Sequence, residues 1–187
     1  VYLKQKYNGI DENIIEEDFL KIDLKKFKSS IAVIGNFPYN ISSQIIFKII
    51  ENRDLVDKLV GMFQLEVAKR ICENPGTKSY GILSVLVQAF YETTFELMLG
   101  PNHFNPPPKV DSGVISLKRK KEKNLNCDEN LFFKIVKQSF QQRRKTLRNS
   151  LKKFNLSNKL AFGVAYRHSL FISVYSSFHL VLYYRSN

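Results

Sequence analysis

The chain has 187 residues, 44% of them hydrophobic, and its 29 Lys and Arg against 17 Asp and Glu leave a net charge of +12. That is enough apolar material for a buried core, and the positive surplus points to a polyanionic partner, nucleic acid first, rather than to an acidic small molecule. Two distant cysteines (Cys72, Cys127) and three scattered histidines (His103, His168, His179) exclude a disulfide framework and a metal centre; with no signal peptide and no stretch fit to span a bilayer, the sequence reads as a soluble, cytoplasmic protein.

Residues 1–10 form a polar, basic lead-in, and 13–18 read as a short strand closing on Glu16, Glu17 and Asp18. Beside a parallel partner it would bring Asp18 to the carboxyl edge of a sheet, where it could accept a hydrogen bond from the adenine amine of a nucleotide cofactor; a solvated acidic turn is the alternative. The apolar run 31–35 suits a central parallel strand buried on both faces. Pro38 ends it and biases Phe37 away from the helical region, so the Asn36 amide and the Phe37 carbonyl can both point outward as acceptors, with Tyr39 as a flat face beside them.

Two acceptors and an aromatic plane are what holds an adenine by its exocyclic amine. The lone pair of that nitrogen is delocalised into the ring, and accepting both of its protons favours a more tetrahedral, nucleophilic nitrogen. For these four residues alone, a plain strand-turn-helix built on Asn-x-Pro is the alternative.

Ser42 is the expected N-cap of a helix over 42–50. A strand over 60–65 follows, then a helix carrying Glu66, Lys69 and Arg70, broken at Pro75-Gly76. Residues 80–90 read as an apolar helix, and 94–99 with 114–117 as a terminal strand pair. Between those strands, Pro106-Pro107-Pro108 make a stiff segment with few conformations to lose, which could present Phe104 to Tyr39 across a flipped base; a polyproline docking ligand is the alternative. Past 118–121 the composition shifts to a small helical domain, with helices over 129–140 and 143–154. No acidic residue follows Glu129, so Arg143, Arg144, Lys145 and Arg148 are read as phosphate contacts rather than as a merely solvated face.

In this order, Asn36-Phe37-Pro38-Tyr39, the 64–70 motif Gln-Leu-Glu-Val-Ala-Lys-Arg, the 80–85 motif Tyr-Gly-Ile-Leu-Ser-Val, the 104–112 segment, and Phe140 with the basic 143–147 run resemble the ribosomal RNA adenine dimethyltransferase family, nearest its small-subunit branch. The resemblance covers residues from about 14 to 151. It implies an α/β fold, a Rossmann-like class I S-adenosylmethionine-dependent methyltransferase sheet lacking its first strands (1–120), a small C-terminal helical domain that docks the ribosomal particle (121–160), and a divergent tail (161–187). The implied activity is dimethylation of two adjacent adenosines near the 3′ end of small-subunit ribosomal RNA, by a monomer acting on the immature small subunit.

The resemblance also implies residue roles. Asn36 and Phe37 hold the amine, Pro38 shapes their loop, Tyr39 and Phe104 sandwich the base, and Asp18, Phe19 and Asn36 contact the cofactor. The family's glycine-rich cofactor loop belongs upstream of Asp18, yet this chain has no closely spaced glycine pair and opens at Val1, so the sequence reads as N-terminally truncated. A non-catalytic RNA-binding or ribosome-assembly factor, and a methyltransferase for large-subunit RNA, are the competing readings.

Overall fold

A computed structural model of the chain describes residues 14–121, 125, 127–141, 147–151 and 154. The β-branched run Ile31–Asn36 forms β1, and a short 3-10 turn, Tyr39–Ile41, carries the chain from it into helix α1, Ser42–Glu51. Helix α1 buries Ile45, Ile46, Ile49 and Ile50 as one stripe. The chain then returns as β2, Val56–Gln64, parallel to β1. Helices α2, Leu65–Cys72, and α3, Ile82–Phe90, follow, and the antiparallel strands β3, Tyr91–Leu99, and β4, Ser112–Arg119, complete a four-stranded sheet of order β1-β2-β4-β3. Helices α4, Glu129–Gln141, and α5, Leu147–Ser150, come last.

Several expectations are corrected. β1 is an edge strand of the described sheet, and alternate residues face solvent, Ile34 being 82% exposed. Its run is apolar throughout, but among the described residues the core lies to the other side of the sheet, where Leu59, Phe63, Ile115 and Leu117 join the α1 stripe. Residues 14–18 form no strand. They are mostly exposed, and Asp18 closes them in a turn, its Oδ1 accepting from the Leu20 N–H at 2.9 Å. β2 starts at Val56, four residues before the apolar signal, because Asp57 is paired with Arg119 and Ser30 on neighbouring segments. The terminal strand pair is present as expected, antiparallel at one end of the sheet, with β4 on its inner side against β2 and β3 at the edge. Ser42 does not cap α1. Ile41 holds that position, and the Ser42 hydroxyl donates to the Tyr39 carbonyl at 3.0 Å.

Polar ties hold the layers. Gln88 of α3 donates to the carbonyls of Ile71 (3.0 Å) and Glu73 (2.8 Å), satisfying acceptors that the end of α2 leaves open. The fully buried Tyr91 donates to the Val56 carbonyl at 2.9 Å, and burial pushes its phenol well above the ordinary range. Burial likewise pushes the Cys72 thiol up to about 11, against the hydrogen bond with Thr93. Helix α4 packs Phe132 and Phe133 against Phe90, and Arg53 lies 4.5 Å above the Phe90 ring while pairing with Glu129. Among the described residues no helix is long and apolar enough to cross a membrane.

The tightest packing lies where β1 meets β2. Gly35 pairs with Gly61, and the Phe37 ring lies over both. A Cβ on Gly61 would stand 2.6 Å from the Phe37 ring and 2.8 Å from Phe63. Gly61→Val should therefore destabilise the fold by about 1–3 kcal/mol through overpacking. Thermal unfolding measures it, and an unchanged midpoint would show that the Phe37 ring is free to move aside.

Candidate active site

Four strand ends meet at one edge of the sheet. β1, β2 and β3 finish there and β4 begins there, so Asn36, Gln64, Leu99 and Ser112 are close in space although far apart in sequence. The ladder continues one residue past Asn36, the Phe37 N–H donating to the Met62 carbonyl at 3.3 Å. Pro38 then adopts an extended conformation, φ −59° and ψ 130°, and Tyr39 opens the 3-10 turn. Asn36 is exposed, and among the described residues no donor is bonded to its side-chain amide or to the Phe37 carbonyl. The two acceptors belong to consecutive residues where β1 gives way to the loop.

The Phe37 ring turns the other way, into the covered face of the sheet, 5.2 Å from the Phe63 ring. It also reaches Phe19 at 6.4 Å. That contact brings the 18–22 turn to the same loop, so Asp18 and Phe19 stand beside the strand end without belonging to a strand. Lys48 of α1 holds the turn in place, donating to the carbonyls of Leu20 (3.0 Å) and Ile22 (2.5 Å) with its ammonium 5.8 Å from the Phe19 ring centre. No local pattern singles out Lys48, because a lysine on a helix ordinarily reads as a solvated residue.

The segment 100–111 returns to this edge from the end of β3. Its last residue is fixed by the Leu65 N–H, which donates to the Asp111 carbonyl at 2.9 Å. Phe104 is half-buried and follows a short 3-10 turn, Pro101–His103, and the Asn105-Pro106 peptide is cis. No ring contact joins Phe104 to Tyr39 among the described residues; what joins the two loops is the Tyr39 hydroxyl, 2.5 Å from the hydroxyl of Ser112. Ser112 closes the 104–112 segment in the sequence, but its role depends on strand register, which no local pattern reveals.

Arg143, Arg144 and Lys145 lie outside the described residues, as does most of the tail beyond 151; Arg148 falls in α5, with only its backbone described. No cluster of His, Cys, Asp and Glu fit for a metal occurs among the described residues.

The family model for ribosomal RNA adenine dimethylase matches residues 3–170 of this chain. A ribosomal RNA small subunit methyltransferase A from Flavobacterium johnsoniae is 56% identical over 161 residues, 85% of this chain and 62% of that protein. The protein of that name from Bacteroides thetaiotaomicron is 51% identical over 153 residues, 81% of this chain and 57% of its own. The chain therefore spans about three-fifths of the length of the curated relatives it matches.

Among solved structures, a dimethyladenosine transferase from Plasmodium falciparum superposes with a TM-score of 0.67 at 32% identity, covering 86% of this chain and 56% of that one. The 23S rRNA methyltransferase ErmE superposes with a TM-score of 0.65 at 22% identity, covering 95% and 77%, a likeness of fold alone. The four strands and their helices are thus part of the Rossmann-like sheet of class I methyltransferases. The chain belongs to the ribosomal RNA adenine dimethylase family.

Proposed function

We propose that the protein carrying this chain transfers methyl groups from S-adenosylmethionine to the exocyclic nitrogens of two adjacent adenosines near the 3′ end of small-subunit ribosomal RNA, two to each, acting as a cytoplasmic monomer on the immature small subunit. The observation that carries the reading is the pair of acceptors at the end of β1 beside Tyr39, the Asn36 amide and the Phe37 carbonyl, to which no donor is bonded among the described residues. Family membership and the names of the relatives support the same chemistry.

The cofactor's adenine end fits what stands next to that loop. Asp18 keeps one carboxylate oxygen after Oδ1 has accepted from Leu20, and Phe19 offers an apolar ring; with Asn36 these residues would hold it. When bound, S-adenosylmethionine supplies a methyl group already activated on a sulfonium. The chain's task is then alignment. Asn36 and the Phe37 carbonyl accept the two amine protons and localise the lone pair, while Tyr39 and Phe104 hold the base plane and keep water from the nitrogen.

Mass spectrometry of RNA incubated with the full-length protein and donor tests the assignment. Dimethyladenosine is expected; methylation on cytosine or on protein would overturn it, and RNA binding with no methylation would favour an assembly factor.

Asn36→Ala in that protein should slow methyl transfer about 100- to 1000-fold, the loss of roughly 2.7–4 kcal/mol seen when one preorganised donor leaves an oxyanion hole. RNA affinity should hardly change, because it comes chiefly from phosphate contacts. Comparable losses in rate and affinity would make Asn36 structural.

For RNA binding, replacing Arg143, Arg144, Lys145 and Arg148 together with Ala should flatten the dependence of log affinity on log salt by about 0.7–0.9 for each phosphate contact removed. A slope equal to that of the parent would place the RNA surface elsewhere.

A further inference from the structure

Ser112 begins β4 and is fully buried. It is held from both sides, opposite Gln64 of β2 and Leu99 of β3, and the residue before it accepts the Leu65 N–H. By register it shares the sheet face of Asn36 and Met62. Its one side-chain hydrogen bond among the described residues is to the Tyr39 hydroxyl, at 2.5 Å.

Tyr39, by contrast, stands on a 3-10 turn, where only its neighbours in sequence define the backbone. A ring that stacks on a base works only if its plane is set beforehand. Taking the base-binding reading above as its premise, we propose that Ser112 is the positioning residue for the base plane: its hydroxyl fixes the Tyr39 ring and so ties the Asn36–Tyr39 loop to the segment that carries Phe104. Two consequences follow. The phenol has a partner anchored in the sheet, and Tyr39 meets the substrate through its ring face. The separation of the two aromatic plates is set by a bond anchored in the sheet rather than by either loop.

The test uses the 187-residue chain and an RNA oligonucleotide with an emissive thieno analogue of adenosine, which keeps the 6-amine, in place of the target adenosine; its fluorescence falls when the base stacks. Ser112→Ala and Tyr39→Phe each break the same bond. Each should lower the ratio of stacked to unstacked base about two- to ten-fold, the range one neutral hydrogen bond spans, and the double variant should lose no more than either single one. Affinity for the oligonucleotide, read by anisotropy, should stay within about two-fold because phosphate contacts are untouched.

Tyr39→Ala separates the two levels. If it leaves the quench intact, the base-binding reading fails. If it abolishes the quench while Ser112→Ala and Tyr39→Phe leave it unchanged, or add together in the double variant, the role of Ser112 fails and the base-binding reading stands. Should Ser112→Ala not fold, Tyr39→Phe breaks the bond from the half-buried side, and its quench alone decides: lowered supports the proposal, unchanged overturns it.

Discussion

The Phe37 ring lying across Gly35 and Gly61 is the contact on which this edge of the molecule depends. Two paired glycines leave a shallow bed where two side chains would otherwise stand, and the ring fills it, touching Phe63 on the far side and Phe19 on the near one. Burying that ring, a side chain that contributes about 1.5–3 kcal/mol when fully removed from water, fixes the residue between Asn36 and Pro38. The ring thereby anchors the loop, while among the described residues no donor is bonded to the carbonyl of the same residue.

The 18–22 turn depends on the same contact. It has no sheet partner among the described residues, and what keeps it beside the loop is the Phe19 ring against Phe37 together with Lys48 on its carbonyls. A lysine is well suited to this, since three donors on a flexible stem can serve carbonyls that a turn leaves unpaired. Phe19, next to Asp18, thus meets the loop by side-chain packing, where the sequence had suggested a strand.

Much of this was readable before the structure. Ile-Ala-Val-Ile followed by Asn-Phe-Pro-Tyr marked both strand and loop, because apolar β-branched residues and a proline act locally. The apolar helix expected over 80–90 forms over 82–90, and the strand expected over 94–99 begins three residues earlier, at Tyr91. What escaped is what depends on partners. The start of β2 is disguised by Asp57 and Lys58, charges that a strand tolerates when Arg119 meets one of them from a neighbouring strand. Whether β1 is central or at an edge cannot be told from Ile34, which is apolar and yet 82% exposed. Ser42 looked like a cap because its type favours that position, but nearby carbonyls took its proton instead. Ser112 was visible only as the last residue of the 104–112 segment, since a serine gains its meaning here from the tyrosine brought to it.

The position of β4 between β2 and β3 has a consequence in time. Tyr39 and Ser112 are 73 residues apart in the chain, and the hydroxyl contact between them cannot form until β4 has threaded into its slot. Contacts of such long sequence separation close late, because the loop entropy is lost before the pairing compensates for it. During synthesis the Asn36–Tyr39 loop is therefore made long before Ser112 exists to meet it, and this end of the sheet is among its last parts to mature.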